Sequence, residues 1–189
     1  MKKENFLALK TINLVRRTGM KENKLIREIQ NGNEQAIDDL ISQLYPQIYS
    51  YVYVRMKGRD CSKDITQEVF LNFIKNIDHF EFRGKTKQYL LRIAVNCCNG
   101  WYRNHLETYH LEDTETIAAK EENIQQGNLR ALLQKLPAEQ EEALVLRYYE
   151  ALKIKEIAMV LDLSENTVKT RLRLGLSKLK QMIRKEDWL

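Results

Sequence analysis

Three sets of side chains in this sequence have types and spacing suited to recognition chemistry. The first lies near the C-terminus. Asn166, Lys169, Thr170, Arg173, Ser177 and Lys180 recur at helical spacing with Arg171 on the flank, and no acidic residue occurs between Asn166 and Lys185. Val168, Leu172, Leu176, Leu179 and Ile183 form the opposite face, which points to a core. Upstream, Lys155 to Leu161 predicts a short helix with Ile157, Ala158 and Leu161 inward, and Asp162-Leu163 predicts a turn. Ser164 suits the next N-cap, because its hydroxyl can accept a bond from an otherwise unpaired backbone N–H. The whole reads as a helix-turn-helix whose second helix is shaped and charged for a DNA major groove.

The second set is Arg92, Asn96, Asn99 and Arg103, a polar and partly cationic stripe. It belongs to a helix expected from about Lys87 to Arg103, with Leu90, Ile93, Ala94, Cys97 and Trp101 packing inward. A loop from His79 to Thr86 carrying Phe80, Phe82 and Gly84 precedes it. For Phe80 and Phe82, core packing and stacking on a base are both open readings. The third set is Asp64, Gln67, Glu68 and Leu71, a face that is polar at one end and apolar at the other. Its helix is expected to be capped by Asp60 and to run to about Ile77, with Ile65, Val69, Phe70, Phe73 and Ile77 inside. Taken alone, such a face is an ordinary solvated one.

Nothing here is arranged for bond-making. No nucleophile with a base, phosphate loop or metal-ligand spacing occurs, and His79, His105 and His110 have no ligand-like partners. No enzyme activity, cofactor or metal is expected. Cys61, Cys97 and Cys98 lack paired spacing and suit a reducing cytoplasm; adjacent Cys97 and Cys98 are read as small packing residues rather than a redox pair.

The elements that must position these sets are helices. Two prolines and seven glycines in 189 residues, with no sustained alternation, predict an all-α fold of two small helical domains, the second a helix-turn-helix. Glu34 to Met56 has Ile37, Leu40, Ile41, Leu44, Ile48, Tyr51, Val52 and Arg55 at helical spacing, and Pro46 predicts a junction or kink. The YVYV at Tyr51 falls inside that pattern and is read as helix. Residues 106–127 are acidic and poor in apolar side chains, which predicts a solvated linker. Leu129 to Leu136 resumes the period, and Pro137 opens another helix with Glu139 in its first turn. The net charge of +5 favours an anionic partner. No apolar run is long enough to span a bilayer, and the basic N-terminus does not read as a signal peptide.

Three segments, in order, carry a family resemblance. They are DCSKDITQEVF (Asp60 to Phe70), YLLRIAVNCCNGWYR (Tyr89 to Arg103) and LPAEQEEALVLRYYEALKIKEIAMVLDLSENTVKTRL, which begins at Leu136. Together they resemble bacterial sigma factors of the extracytoplasmic function class, within the sigma-70 superfamily. Tyr89 stands where the family commonly has tryptophan, Gly100 where it often has aspartate, and Asp162 and Asn166 where glycine is usual.

The resemblance implies an alternative sigma factor that binds core RNA polymerase and directs initiation at promoters. Residues 20–105 would be sigma region 2, 106–127 the linker and 128–189 sigma region 4, with 1–19 a basic extension that precedes a second candidate start at Met20. Asp64, Gln67, Glu68 and Leu71 would meet the β′ clamp helices, and the second domain the β flap. Phe80, Phe82, Arg83, Lys85, Lys87, Tyr89, Arg92, Asn96, Asn99 and Arg103 would engage the −10 element. Glu165, Asn166, Lys169, Thr170 and Arg173 would read the −35 element, with Thr167 and Arg171 on phosphates. An anti-sigma factor would hold this cytoplasmic protein in check, at the membrane in some cases, and the class points to stress responses. The rival readings are a helix-turn-helix repressor or activator that binds DNA without polymerase, and a recombinase with a C-terminal DNA-reading domain.

Overall fold

The computed structural model describes residues 22–81, 84–105 and 131–186. Residues 1–19, Phe82, Arg83, His110 and the acidic segment 106–127 lie outside them. Among the described residues every regular element is helical, as the composition predicts. None of these helices is long and apolar enough to cross a membrane.

Helix α1 (22–30) buries Ile26 and Ile29, and a turn at Gly32, with φ 84°, leads into α2 (Glu34–Arg55). Asn33 caps α2 by accepting from the Gln35 backbone N–H at 3.1 Å. Then come α3 (Cys61–Lys75), a 3₁₀ turn (Ile77–His79) and α4 (Thr86–Asn104). Helices α2, α3 and α4 pack on one another around Leu40, Ile48, Tyr51, Phe73 and Leu90. The second half comprises α5 (131–134), α6 (Ala138–Leu144), a π turn (Val145–Tyr149), α7 (Ile154–Leu161) and α8 (Glu165–Glu186). In it α8 packs across α6 and α7.

Several expectations need correction. Pro46 does not divide a helix: α2 runs unbroken past it. Proline removes one donor and leaves the Ser42 carbonyl without its partner. Both residues are on the exposed face, where water can satisfy that carbonyl. Asp60 occupies the N-cap position of α3 but makes no side-chain cap bond, because its own backbone is already helical at φ −58° and ψ −33°. Helix α3 ends at Lys75, and Ile77 is buried from the following turn instead.

The buried face of α4 is wider than one stripe. Leu91, Val95 and Cys98 are buried along with Leu90 and Ala94, whereas Ile93, Cys97 and Trp101 are only partly covered. The cause is non-local, since α4 is covered by α2 and α3 and also by α7. In α8 the inner face holds through Leu179, but Ile183 is 43% exposed.

Candidate nucleic-acid interface

The helix-turn-helix forms from short-range bonds. The Glu156 carboxylate accepts from the Lys153 backbone N–H at 2.8 Å and starts α7. Asp162 ends it in the left-handed conformation, φ 57° and ψ 48°, with the Leu163 N–H donating to the Ala158 carbonyl. Aspartate tolerates this geometry better than most residues that carry a Cβ. Ser164 Oγ then accepts from the Thr167 N–H at 3.1 Å, the expected cap of α8.

Val168, Leu172 and Leu179 anchor α8 to the core. Glu165, Asn166, Thr167, Lys169, Thr170 and Arg173 are exposed along the opposite face. Arg171 differs: it is largely covered and pairs with Glu139 of α6 at 2.9 Å. Gly175 lets α8 pass close to α6, because a Cβ there would lie 2.9 Å from Leu144 Cδ1. The spacing of apolar residues gave no sign of that contact.

The second surface is built on α4. Gln30 holds the approach to it, donating to the Ile77 carbonyl at 2.8 Å and the Phe80 carbonyl at 3.0 Å. Phe80 sits against Phe73 and Tyr89, with ring centroids 5.3 and 4.8 Å away, so its ring is partly committed to the core. Arg92, Asn96, Asn99 and Arg103 are exposed on one stripe of α4, with Lys85, Lys87 and Tyr89 near its start. Asp64, Gln67, Glu68 and Leu71 share an exposed face of α3, where Leu71 is 59% exposed.

The two halves meet beside this stripe. A cleft of about 630 Å³ has Asn96, Asn99 and Arg103 on one wall and Leu136, Ala138 and Glu141 on the other. At its base the Arg55 guanidinium lies 3.2 Å from Glu141 and 3.5 Å from Glu142, all three buried. Burial pushes both carboxyls above their usual range, and Arg55 only partly offsets that. Tyr102 donates to the Arg55 carbonyl at 2.6 Å and fixes the end of α2. Arg55 shared the helical spacing of its apolar neighbours, but nothing in the sequence pointed to the two glutamates as its partners, with Arg55 and Glu141 86 residues apart.

The cysteines are free. Burial raises the Cys97 thiol and pushes Cys98 up to about 12, which keeps both as thiols rather than reactive thiolates. Among the described residues no group of His, Cys, Asp and Glu is arranged to hold a metal ion.

Comparison with known proteins places the two halves in known families. Residues 40–106 match Sigma-70 region 2, and residues 126–179 match Sigma-70, region 4. The ECF RNA polymerase sigma factor SigW of Bacillus subtilis (strain 168) is 27% identical over 180 residues, 85% of this chain and 96% of SigW. RNA polymerase sigma factor YlaC of the same organism is 27% identical over 169 residues, 82% of this chain and 98% of YlaC. CnrH, solved with the cytosolic domain of CnrY, shares the fold at a TM-score of 0.70 and 20% identity, over 87% of this chain and 98% of CnrH. RpoE of Bartonella quintana, solved with the anti-sigma factor NepR, has a TM-score of 0.66 at 18% identity, over 78% of this chain and 96% of RpoE. With regions 2 and 4 in order on one chain whose described regular elements are all helical, the protein belongs to the sigma-70 superfamily, in its extracytoplasmic function class.

Proposed function

We propose that the recognition surfaces of this alternative sigma factor divide the work of initiation among α3, α4 and α8. The protein binds core RNA polymerase and directs it to promoters, acting by binding rather than catalysis. The observation that carries the division is the presence of three separate exposed faces of different chemistry on three helices. Asp64, Gln67, Glu68 and Leu71 on α3 dock on the β′ clamp helices, where carboxylates and an exposed leucine suit a basic helical pair. The stripe Arg92, Asn96, Asn99 and Arg103, with Lys85, Lys87 and Tyr89, engages the −10 element.

Opening a duplex requires an unstacked base to be held, and an asparagine amide can both donate and accept at a base edge. Phe80, Phe82 and Arg83 complete that surface in this reading, through stacking and phosphate contact. The start of α8 reads the −35 element in the major groove through Glu165, Asn166, Lys169, Thr170 and Arg173. Thr167, and Arg171 if released from Glu139, reach phosphates.

Residues 20–105 and 128–189 act as the two DNA-engaging domains, joined by the acidic 106–127 tether. An anti-sigma factor controls access to them, as the partner-bound structures of CnrH and RpoE suggest by analogy. Capture at the membrane would then be a property of that partner.

Multi-round transcription with purified core polymerase and a genomic template library tests the reading. Discrete promoter-initiated transcripts are expected, and their absence would overturn it. Asn96→Ala should impair open-complex formation while leaving polymerase binding intact, whereas Glu68→Lys should weaken polymerase binding itself and lose open complexes only as a consequence.

A further inference from the structure

Helix α1 is short, yet it reaches both ends of the connection that leads into α4. Gln30 Nε2 donates to the Ile77 carbonyl at 2.8 Å and to the Phe80 carbonyl at 3.0 Å. About two turns earlier on the same face, the half-buried Glu22 carboxyl faces the side chain of Thr86, the buried first residue of α4. Ile26 and Ile29, between them, seat α1 in the core.

Gln30 works at an exposed site, where water competes for its amide and the two bonds add little to stability. What they fix is the backbone of Phe80. That residue is extended, φ −81° and ψ 115°, and its own N–H donates to the Ile77 carbonyl at 3.0 Å. Its ring lies 4.8 Å from that of Tyr89, and both rings close on buried Phe73, at 5.3 and 6.0 Å. Phe80 and Tyr89 each keep part of their surface exposed. The two rings come from different segments, so their pairing lasts only while the Phe80 backbone is held against α4. A base that leaves the duplex gains most from rings already in place, because rings ordered at that moment give part of the gain back as entropy.

We propose that Gln30 is a positioning residue for strand capture: from α1 it fixes the Phe80–Tyr89 pair as a preformed face on which an unstacked base of the −10 element rests. Gln30 itself touches no DNA. The inference rests on assigning the start of α4 to the −10 element, and it adds a helix that carries none of the surfaces assigned above.

Gln30→Met keeps the length of the side chain and removes the donor. Gln47→Met, at an exposed position of α2, controls for an added surface methionine. Both full-length variants are assembled with core polymerase on a promoter recovered by library transcription. The promoter is supplied as intact duplex and with its −10 region opened in advance by mismatches. On the duplex Gln30→Met should form open complexes about 5-fold more slowly than the control, the scale of one net hydrogen bond. On the opened promoter the difference should shrink to within about 2-fold, because strand separation no longer waits on base capture. Melting temperature and affinity for core polymerase should match the control.

Equal rates on the duplex would overturn the proposal, and so would an equal loss on both templates, which marks general damage. In the free protein, NMR should find the Phe80 amide exchanging hydrogen at least about 5-fold faster in Gln30→Met than in the control. Unchanged exchange would mean that Gln30 holds nothing in place, and would also overturn it. Transcription by wild type separates the two claims. Its absence would sink the sigma-factor surfaces and this role with them, whereas an active wild type beside an unaffected Gln30→Met would sink only the role of Gln30.

Discussion

Arg55 and Glu141 form a buried ion pair, 3.2 Å long, that joins the end of α2 to α6. With Glu142 at 3.5 Å the cluster has one cation for two carboxylates, all nearly out of reach of water. Such a cluster specifies how the halves dock more than it stabilises them, because desolvation consumes most of the attraction. Removing the arginine is another matter. Arg55→Ala strands two buried carboxylates and should cost about 3–5 kcal/mol in urea denaturation. Replacing the whole cluster with Met at 55, 141 and 142 should recover most of that loss. A triple variant as unstable as Arg55→Ala would show that the cluster itself is needed.

The same carboxyls set a pH dependence. Burial raises Glu141 and Glu142 above the ordinary 4.5, against the pull of Arg55 on both, Lys57 on Glu141 and Arg171 on Glu142. A carboxyl that holds its proton more tightly when folded contributes stability that is fully present below the unfolded value and is lost as pH rises through the folded one. Relative to E141Q/E142Q, which does not titrate at these positions, wild type should therefore gain stability as pH falls from about 7.5 towards about 4.5. Denaturation of both proteins across that range measures the difference. A gap that widens in the other direction would mean that Arg55 outweighs desolvation.

Two helical glycines should respond oppositely to alanine. At Gly100 a Cβ would meet only the Arg103 guanidinium at 3.9 Å, so Gly100→Ala should stabilise by about 0.5–1 kcal/mol through backbone entropy. At Gly175 the Cβ would press on Leu144, itself 2% exposed and hemmed in. Overpacking of about 1–3 kcal/mol should exceed the helix-propensity gain there, and Gly175→Ala should lower the melting temperature. Thermal melts of the two variants side by side give the answer; a rise for both would mean that Leu144 has room to shift.

Cys98 should be chemically silent in the native protein. A thiol held near 12 has a thiolate fraction roughly three orders of magnitude below that of a free cysteine, and its side chain is buried as well. Iodoacetamide at mildly alkaline pH should spare Cys98 while urea exposes it, as read by peptide mass. Rapid native labelling of Cys98 would place it on a surface that opens easily.

What was readable in the sequence was local. The turn at Asp162, the cap at Ser164 and the inner positions Val168 and Leu172 depend on neighbours within a few residues, and their pattern survives folding intact. The faces of α3 and α4 that carry Glu68 and Asn96 were legible for the same reason. The second covering of α4 was not, because a single apolar stripe says nothing about a further partner such as α7. Leu91 and Val95 are buried although they lie off that stripe, and Arg55 finds Glu141 only once both halves are folded. Pro46 suggested a junction that is not there, because an exposed proline can stay inside a helix when packing on the other face outweighs its lost bond and ring clash and water reaches the orphaned carbonyl.

Arg171 and Arg173, two residues apart on α8, should separate structural from DNA-binding charge. Arg173 is exposed on the reading face, whereas Arg171 is tied to Glu139 at 2.9 Å beside the core. Even at a base edge the Arg173 cation lies among the groove phosphates and displaces a counterion, so Arg173→Ala should reduce the salt slope of promoter binding by about one. Arg171→Ala should leave that slope near wild type and lower stability by at most about 1 kcal/mol, since Glu139 is largely solvated. Binding of holoenzyme to a recovered promoter over a range of salt concentrations distinguishes them. A slope that falls equally for both would mean that Arg171 leaves Glu139 when DNA arrives, making Glu139 a competitor that DNA must displace.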